Sequence, residues 1–255
     1  DRTVGLLPVD LYGHLANGRA LQQIALRHGL FIIEDAALAT GARDHGQPVG
    51  AFADLTVFSC APFKPFEGTA YGGLVVTGDE NLWEQVELLK GFGLQPGIPD
   101  QLPTDYHHIA EGYNLAMGPV DAAVLTVKLP YLQEWGEQRR QVARWYAERL
   151  AGIEGVTLPR VRPESEPVFR EYAMQVPQRD AVYRHLQENG VQAALHYVPP
   201  VHQQPVYQKS PLPGSDRLPV TEAVSPRLLC LPVDPEITEE DAEFVVGLMR
   251  EVLGG

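Results

Sequence analysis

The sequence predicts an α/β protein, with a parallel-sheet domain first in the chain and a smaller α+β domain after it. Three observations carry this reading. The apolar run Val4 to Val9 is followed by helical spacing and then by a second apolar run, Leu30 to Ile33, which is the order of a βαβ unit. Short apolar runs continue to alternate with helical spacing as far as Leu129. From about residue 152 the texture changes to isolated strands and helices divided by Pro-rich segments. The expected organisation is a first domain over 1–130, a bridging helix over 131–151 and a second domain over 152–255.

Each element has its own signal. After Gly13, Ala20, Leu21, Ile24 and Ala25 recur at helical spacing, and Gly29 stands where a helix needs a left-handed cap. Leu30 to Ile33 then reads as a buried strand ending at Glu34 and Asp35, and ligands of parallel sheets gather at such carboxyl ends. A strand near Leu55 to Phe58 leads into a loop with Ser59, Pro62 and Lys64, and another follows at Leu74 to Thr77 after Gly72 and Gly73. Asp79 caps a helix through Leu82, Val86 and Leu89.

Between Gly91 and Tyr113 lies a stretch rich in Gly, Pro, Asp and His with no apolar period. It is too long for an ordinary connection, which makes it a candidate functional or interface loop. Helical spacing resumes from Val120 to Leu129, breaks at Pro130 and returns through Leu132, Trp135, Val142, Tyr146 and Leu150. In the second domain, Arg170 to Val176 and Val191 to Tyr197 read as strands around a helix from Asp180 to Glu188. Val198 to Pro219 reads as a loop, Leu228 to Leu231 as a short strand, and Glu239 to Leu253 as the last helix.

Composition narrows the function. With 20 Lys and Arg against 33 Asp and Glu the formal charge is −13, which argues against a nonspecific grip on nucleic acid or an anionic membrane. No apolar run approaches the roughly 20 residues of a membrane-spanning helix, and no signal peptide is recognisable, so a cytoplasmic location is expected. Cys60 and Cys230 are too few for a disulfide framework or a four-cysteine zinc site and read as packed small hydrophobes. Phosphate-loop, dinucleotide, serine-hydrolase and zinc motifs are absent, and the histidines lack metal-ligand spacing.

What stands out is a carboxylate at a strand end, Asp35, with a serine and a lysine five residues apart after a later strand, Ser59 and Lys64. An enzyme that uses pyridoxal 5′-phosphate needs this set: an amine to attach the cofactor, an acid to keep the pyridine nitrogen protonated, and hydroxyl donors for the phosphate. Taken singly, each residue is as well explained by a cap, a turn or a solvated charge.

Six segments add a resemblance: Pro8 to Gly13 (PVDLYG), Ile33 to Ala42 (IEDAALATGA), Phe58 to Lys64 (FSCAPFK), Tyr71 to Thr77 (YGGLVVT), Gly112 to Asn114 (GYN) and His196 to His202 (HYVPPVH). In this order and spacing the chain resembles the pyridoxal-phosphate-dependent nucleotide-sugar aminotransferases of the DegT/StrS group. The resemblance covers almost the whole chain and implies a type I aminotransferase-like fold. It implies that Asp35 pairs with the pyridinium nitrogen, Lys64 carries the cofactor and Ser59 binds its phosphate. Asn114 would reach the phosphate of a neighbouring subunit's cofactor, which implies a homodimer with shared active sites. His196, Tyr197 and His202 would lie on the substrate side. The implied reaction moves an amino group from glutamate or glutamine to a keto group of a nucleotide-linked sugar. Lys64 argues against the similar dehydratase branch, which carries histidine there.

Three departures favour a second reading, a non-catalytic homologue acting as a binding or scaffold subunit. Leu38 stands where the family has Gln or His beside the cofactor ring and cannot donate a hydrogen bond. Ala116 replaces a basic residue two places after the GYN asparagine, and Tyr71 replaces an acid before the double glycine. The strand at Val4 has no earlier element to pair against, so the chain is expected either to belong to a longer polypeptide or to show an exposed sheet edge.

Overall fold

In the computed structural model, which describes residues 2–94, 107–210 and 218–254, the chain divides into two compact units. Unit 1 comprises Asp1–Glu134 with Pro163–Val168, and unit 2 comprises Trp135–Arg162 with Phe169–Gly255.

Unit 1 opens with strand β1 (Gly5–Leu6), shorter than the apolar run because Pro8 has no N–H for a ladder; beyond it, Val9 makes a single parallel bridge to Asp35. Helix α1 (Gly18–His28) starts where the Asn17 side chain accepts the Ala20 N–H and stops at Gly29, whose φ of 62° suits a residue without Cβ. Strand β2 (Phe31–Asp35) runs parallel to β1.

A hairpin of β3 (Arg43–Asp44) and β4 (Gln47–Pro48) turns at His45 and Gly46, both with positive φ, and β7 (Ser165–Glu166) adds to it antiparallel to β3. Two-residue strands carry too little pattern to be read from sequence. Strand β5 (Leu55–Ser59) pairs parallel with β2, and β6 (Gly73–Val76) pairs antiparallel with β5, giving the order β1-β2-β5-β6.

Strand β6 adds an antiparallel edge to the parallel strands β1, β2 and β5. No crossover helix separates β5 from β6, only the loop that carries Lys64, so the chain returns in the opposite direction. The residues of β6 are all exposed, as are Val4 and Leu7 at the other edge.

Helix α2 (Glu80–Lys90) is capped by Asp79, which accepts the Asn81 and Leu82 N–H groups. Helix α3 (Pro119–Lys128) begins with proline at its first position, and the turn Leu129–Tyr131 marks the break at Pro130 before α4 (Leu132–Leu150). Apolar packing in unit 1 is divided between two small clusters. One holds Leu15, Ala36, Ala39, Ala42 and Val168; the other holds Cys60, Phe66 and Leu125.

Unit 2 pairs β8 (Tyr172–Gln175) antiparallel with β9 (Leu228–Leu231) and packs α5 (Arg179–Glu188) and α8 (Glu239–Leu253) beside them. Helix α8 opens with a reciprocal cap between Thr238 and Asp241. Its core joins Val142, Tyr146 and Leu150 of α4 with Tyr172, Leu186, Leu229, Leu231 and Met249.

Two readings of this region change. Val191 to Tyr197 is not a strand: among the described residues it makes one isolated bridge to β9, at Ala194, the Gln187 side chain takes the Ala193 carbonyl, and the Val198 N–H turns back to Leu195. The segment read as a loop from Val198 holds the short helix α6 (Pro205–Lys209), and at its end begins α7 (Pro219–Val224); each starts with proline. Residues 211–217 lie outside the described residues, as do 95–106 of the candidate loop between Gly91 and Tyr113.

Candidate functional site

Adjacent parallel strands fix the first group of residues. Asp35 ends β2 and stands opposite Val57 of β5, so Asp35 and Ser59 leave the sheet from the same, carboxyl, end of neighbouring strands. The Asp35 N–H donates to the Pro8 carbonyl at 2.9 Å, and its carbonyl accepts the Asp10 N–H at 3.0 Å. Its Oδ1 accepts the Ala37 N–H at 3.1 Å, which aims the half-buried carboxylate. Leu38, half-buried in the turn that follows, offers only an apolar surface.

Lys64 sits on the loop that returns from β5 to β6, and this loop is strongly braced. Ser59 pairs with Gly73 across the strands, the Cys60 N–H donates to Gly72, and the Gly68 N–H donates to Cys60, both at 2.8 Å. The Ser59 hydroxyl accepts the Ala61 N–H at 3.4 Å. Phe63, next to Lys64, has φ of 68°, a conformation costly for an aromatic residue. The Glu67 carboxylate accepts the Phe63 N–H at 2.5 Å and holds that turn, while Lys128 donates to the Glu67 carbonyl at 3.0 Å.

Asp121, at the first turn of α3, accepts the Thr69 hydroxyl and the Thr69 and Ala70 N–H groups through one oxygen; the Thr69 bonds keep its carboxyl below the usual range. Lys64 is half-buried on this frame. Glu67, Asp121 and the turn at Phe63 are absent from the sequence reading. Their partners lie four and about fifty residues away, and no periodicity marks them.

The structure therefore brings Asp35, Ser59 and Lys64 to one end of two adjacent strands. Asn114 sits elsewhere in unit 1: it forms an exposed antiparallel bridge to Gly91, beyond α2, and the neighbouring Leu115 N–H donates to Lys90.

His196, Tyr197 and His202 belong to unit 2. His196 Nδ1 lies 2.5 Å from the carboxylate of Glu171, a buried residue the sequence reading did not single out. The rings of His196 and Tyr197 stack with centroids 4.9 Å apart. Burial, and then the Glu171 charge, push the Tyr197 hydroxyl above its ordinary pKa. His202 Nε2 pairs with Glu222 at 3.3 Å.

The donor set in unit 1 suits a pyridine-ring cofactor with a phosphate: an amine on a fixed loop, an aimed strand-end carboxylate and a hydroxyl beside them. The half-buried setting of Asp35 and Lys64 leaves both within reach of a ligand.

Comparison with known proteins agrees in scale with this arrangement. The DegT/DnrJ/EryC1/StrS aminotransferase family matches residues 1–250. The chain is 38% identical over 251 residues to the dTDP-3-amino-3,4,6-trideoxy-alpha-D-glucose transaminase of Streptomyces venezuelae, covering 98% of this chain and 64% of that protein. It is 37% identical over 249 residues to the erythromycin biosynthesis sensory transduction protein EryC1 of Saccharopolyspora erythraea, covering 98% of this chain and 66% of that one. Among solved structures, S. venezuelae DesV superposes with a TM-score of 0.90 at 36% identity, covering 100% of this chain and 66% of that chain. An aminotransferase from Brucella abortus gives 0.87 at 32% identity, covering 99% and 65%. The chain thus spans just under two thirds of the length of these relatives.

Proposed function

Because the chain belongs to the DegT/DnrJ/EryC1/StrS aminotransferase family, we propose that it serves a pyridoxal-phosphate-dependent aminotransferase that moves an amino group from an amino acid donor to a keto group of a nucleotide-linked sugar. The observation that carries this reading is the placement of Asp35 and Ser59 at the carboxyl ends of the neighbouring strands β2 and β5, with Lys64 on the loop that follows Ser59. The likeness to the S. venezuelae relative, named for a dTDP-sugar transaminase activity, supports the substrate class.

When bound, pyridoxal 5′-phosphate supplies a carbonyl carbon that takes up an amino group and a ring that accepts electrons. The chain's own residues do the rest. The Lys64 amine would hold the cofactor covalently and, when not so engaged, would serve as the base that moves a proton at the donor's α-carbon. Asp35 keeps the ring nitrogen protonated, and its carboxylate is held for this by the Ala37 N–H. The Ser59 hydroxyl would donate to a phosphate oxygen. Leu38 would offer the ring only an apolar surface.

Asn114 is assigned to the phosphate of a neighbouring subunit's cofactor, which makes the working protein a homodimer. His196, Tyr197 and His202 are assigned to the sugar substrate, and a cytoplasmic location fits these roles. Among the described residues no helix is long and apolar enough to cross a membrane.

Absorbance of the cofactor-loaded protein tests the reading. Adding glutamate should convert the band of the lysine-bound cofactor to that of its aminated form, and a keto sugar nucleotide should reverse the change. An unaltered band with every donor tried would instead favour a binding or scaffold role.

A further inference from the structure

Lys64 is the last residue of a tight turn, Ala61-Pro62-Phe63-Lys64, and its N–H donates to the Ala61 carbonyl at 3.3 Å. Pro62 fixes a negative φ at the second position and Phe63 has a φ of 68° at the third, which is the combination of a type II turn. That third position normally takes glycine, because any Cβ there crowds the neighbouring backbone. The Phe63 ring supplies little packing in return, since the residue is 79% exposed.

The ordinary alternative for a Pro-Phe pair is a type I turn, which differs by a flip of the peptide between the second and third residues. The flip reverses the Phe63 N–H. In the structure that N–H donates to the Glu67 carboxylate, four residues on, at 2.5 Å, so the acceptor stands on the side to which the left-handed form turns the donor.

Glu67 is in turn fixed to helix α3. Lys128 Nζ donates to the Glu67 carbonyl at 3.0 Å and lies 3.9 Å from its carboxylate. Asp121, two helical turns before Lys128, accepts the Thr69 hydroxyl and the Thr69 and Ala70 N–H groups. Leu125 lies between them and packs with Cys60 and Phe66. Positions 121, 125 and 128 share one face of α3, so that face grips the loop on both sides of Glu67. The Glu67 carboxylate carries the grip to the turn in which Lys64 stands.

We propose that Glu67 is a positioning residue for Lys64: by accepting the Phe63 N–H it selects the left-handed turn, and the turn sets the direction in which the Lys64 side chain leaves the backbone. The inference rests on the cofactor-attaching role given to Lys64. What the turn requires is an acceptor. Charge is secondary, because the carboxylate and the Lys128 amine are 3.9 Å apart with both side chains partly exposed.

Three variants of the intact protein test this: Glu67→Gln, Glu67→Ala, and Glu67→Ala combined with Phe63→Gly. Without cofactor, hydrogen exchange at the Phe63 amide should be at least about tenfold faster in Glu67→Ala than in the native protein, and within about threefold of native in Glu67→Gln, which keeps an acceptor oxygen. With pyridoxal phosphate added, absorbance reads the rate at which the cofactor attaches to Lys64. That rate should fall about ten- to hundredfold in Glu67→Ala and stay within about threefold of native in Glu67→Gln. Adding Phe63→Gly to Glu67→Ala should bring it back to within about threefold of native, because glycine adopts a φ of 68° without a brace.

Native exchange and attachment rates in Glu67→Ala would overturn the proposal. So would a Glu67→Gln protein as slow as Glu67→Ala, or a double variant that recovers nothing or fails to fold. If the native protein attached no pyridoxal phosphate, the role of Lys64 would fall, while exchange at Phe63 would still decide whether Glu67 holds the turn.

Discussion

Unit 2 gathers Tyr146, Leu150, Tyr172, Leu186, Leu229 and Met249 into one large apolar cluster, whereas the apolar clusters of unit 1 are two small ones, and it buries Asp10, Glu34 and Thr56 besides. The buried cations of unit 2 are tied to carbonyls, Arg139 to Val233 at 2.7 Å and Arg179 to Leu228 at 3.1 Å. The buried acids of unit 1, Asp10 and Glu34, instead accept from the Ala16 N–H and the Thr56 hydroxyl. Packing specifies the core of unit 2, and that apolar cluster is indifferent to protonation. Unit 1 holds its chemistry on strand ends and a braced loop, so its working geometry depends on hydrogen bonds and on charge.

The sharpest way to separate the two is Lys64→Ala. It removes the amine without entering either cluster, so stability should change by no more than about 0.5 kcal/mol while transamination is lost entirely. Asp35→Ala should leave some attached cofactor but cripple turnover, because the ring nitrogen no longer has an anionic partner. Steady-state rates and cofactor spectra of the two variants distinguish these defects; equal loss of the attachment band in both would erase the difference in roles.

Leu186→Ala addresses unit 2. A fully buried leucine replaced by alanine should cost about 2–5 kcal/mol in denaturant unfolding, since the cavity adds to the lost transfer energy. A cost under about 1 kcal/mol would mean that unit 2 does not owe its stability to this cluster.

Protonation should register in unit 1. Glu34 has a folded-state pKa of about 8 against 4.5 for the free carboxyl. Between these values the folded chain keeps a proton that the unfolded chain releases, so stability falls as pH rises from 4.5 to about 8 and this contribution is flat outside that window. Hydrogen exchange should show the loss at β2 and not at β8 or β9, and Glu34→Gln should abolish it. The same slope at β8 and β9 would break the contrast. The smallest effect expected is at the start of α8, where Thr238→Ala removes one half of a reciprocal cap and should cost about 1 kcal/mol.

The sequence made much of this legible for physical reasons that differ between regions. Helices α1, α2 and α8 announce themselves through apolar spacing, and α1 and α2 also through Gly29 and Asp79, all local signals. Asp35, Ser59 and Lys64 were readable because strand ends and the returning loop are marked by apolar runs that stop. The direction of β6 was not, since apolar composition is the same for either sense of pairing. Val191 to Tyr197 looked like a strand because its composition is β-like, and only a single bridge to β9 shows otherwise. Glu67, Asp121, Glu34 and Glu171 look like ordinary surface acids in a chain with 33 Asp and Glu, and folding alone turns them towards buried or backbone partners.

The most direct test of the central claim is chemical. Borohydride reduction of the cofactor-loaded protein, followed by peptide mapping, should place the pyridoxyl group on Lys64, the lysine on the loop between β5 and β6. Labelling of Lys90, Lys128 or Lys209 in its place, or of no lysine, would contradict the account.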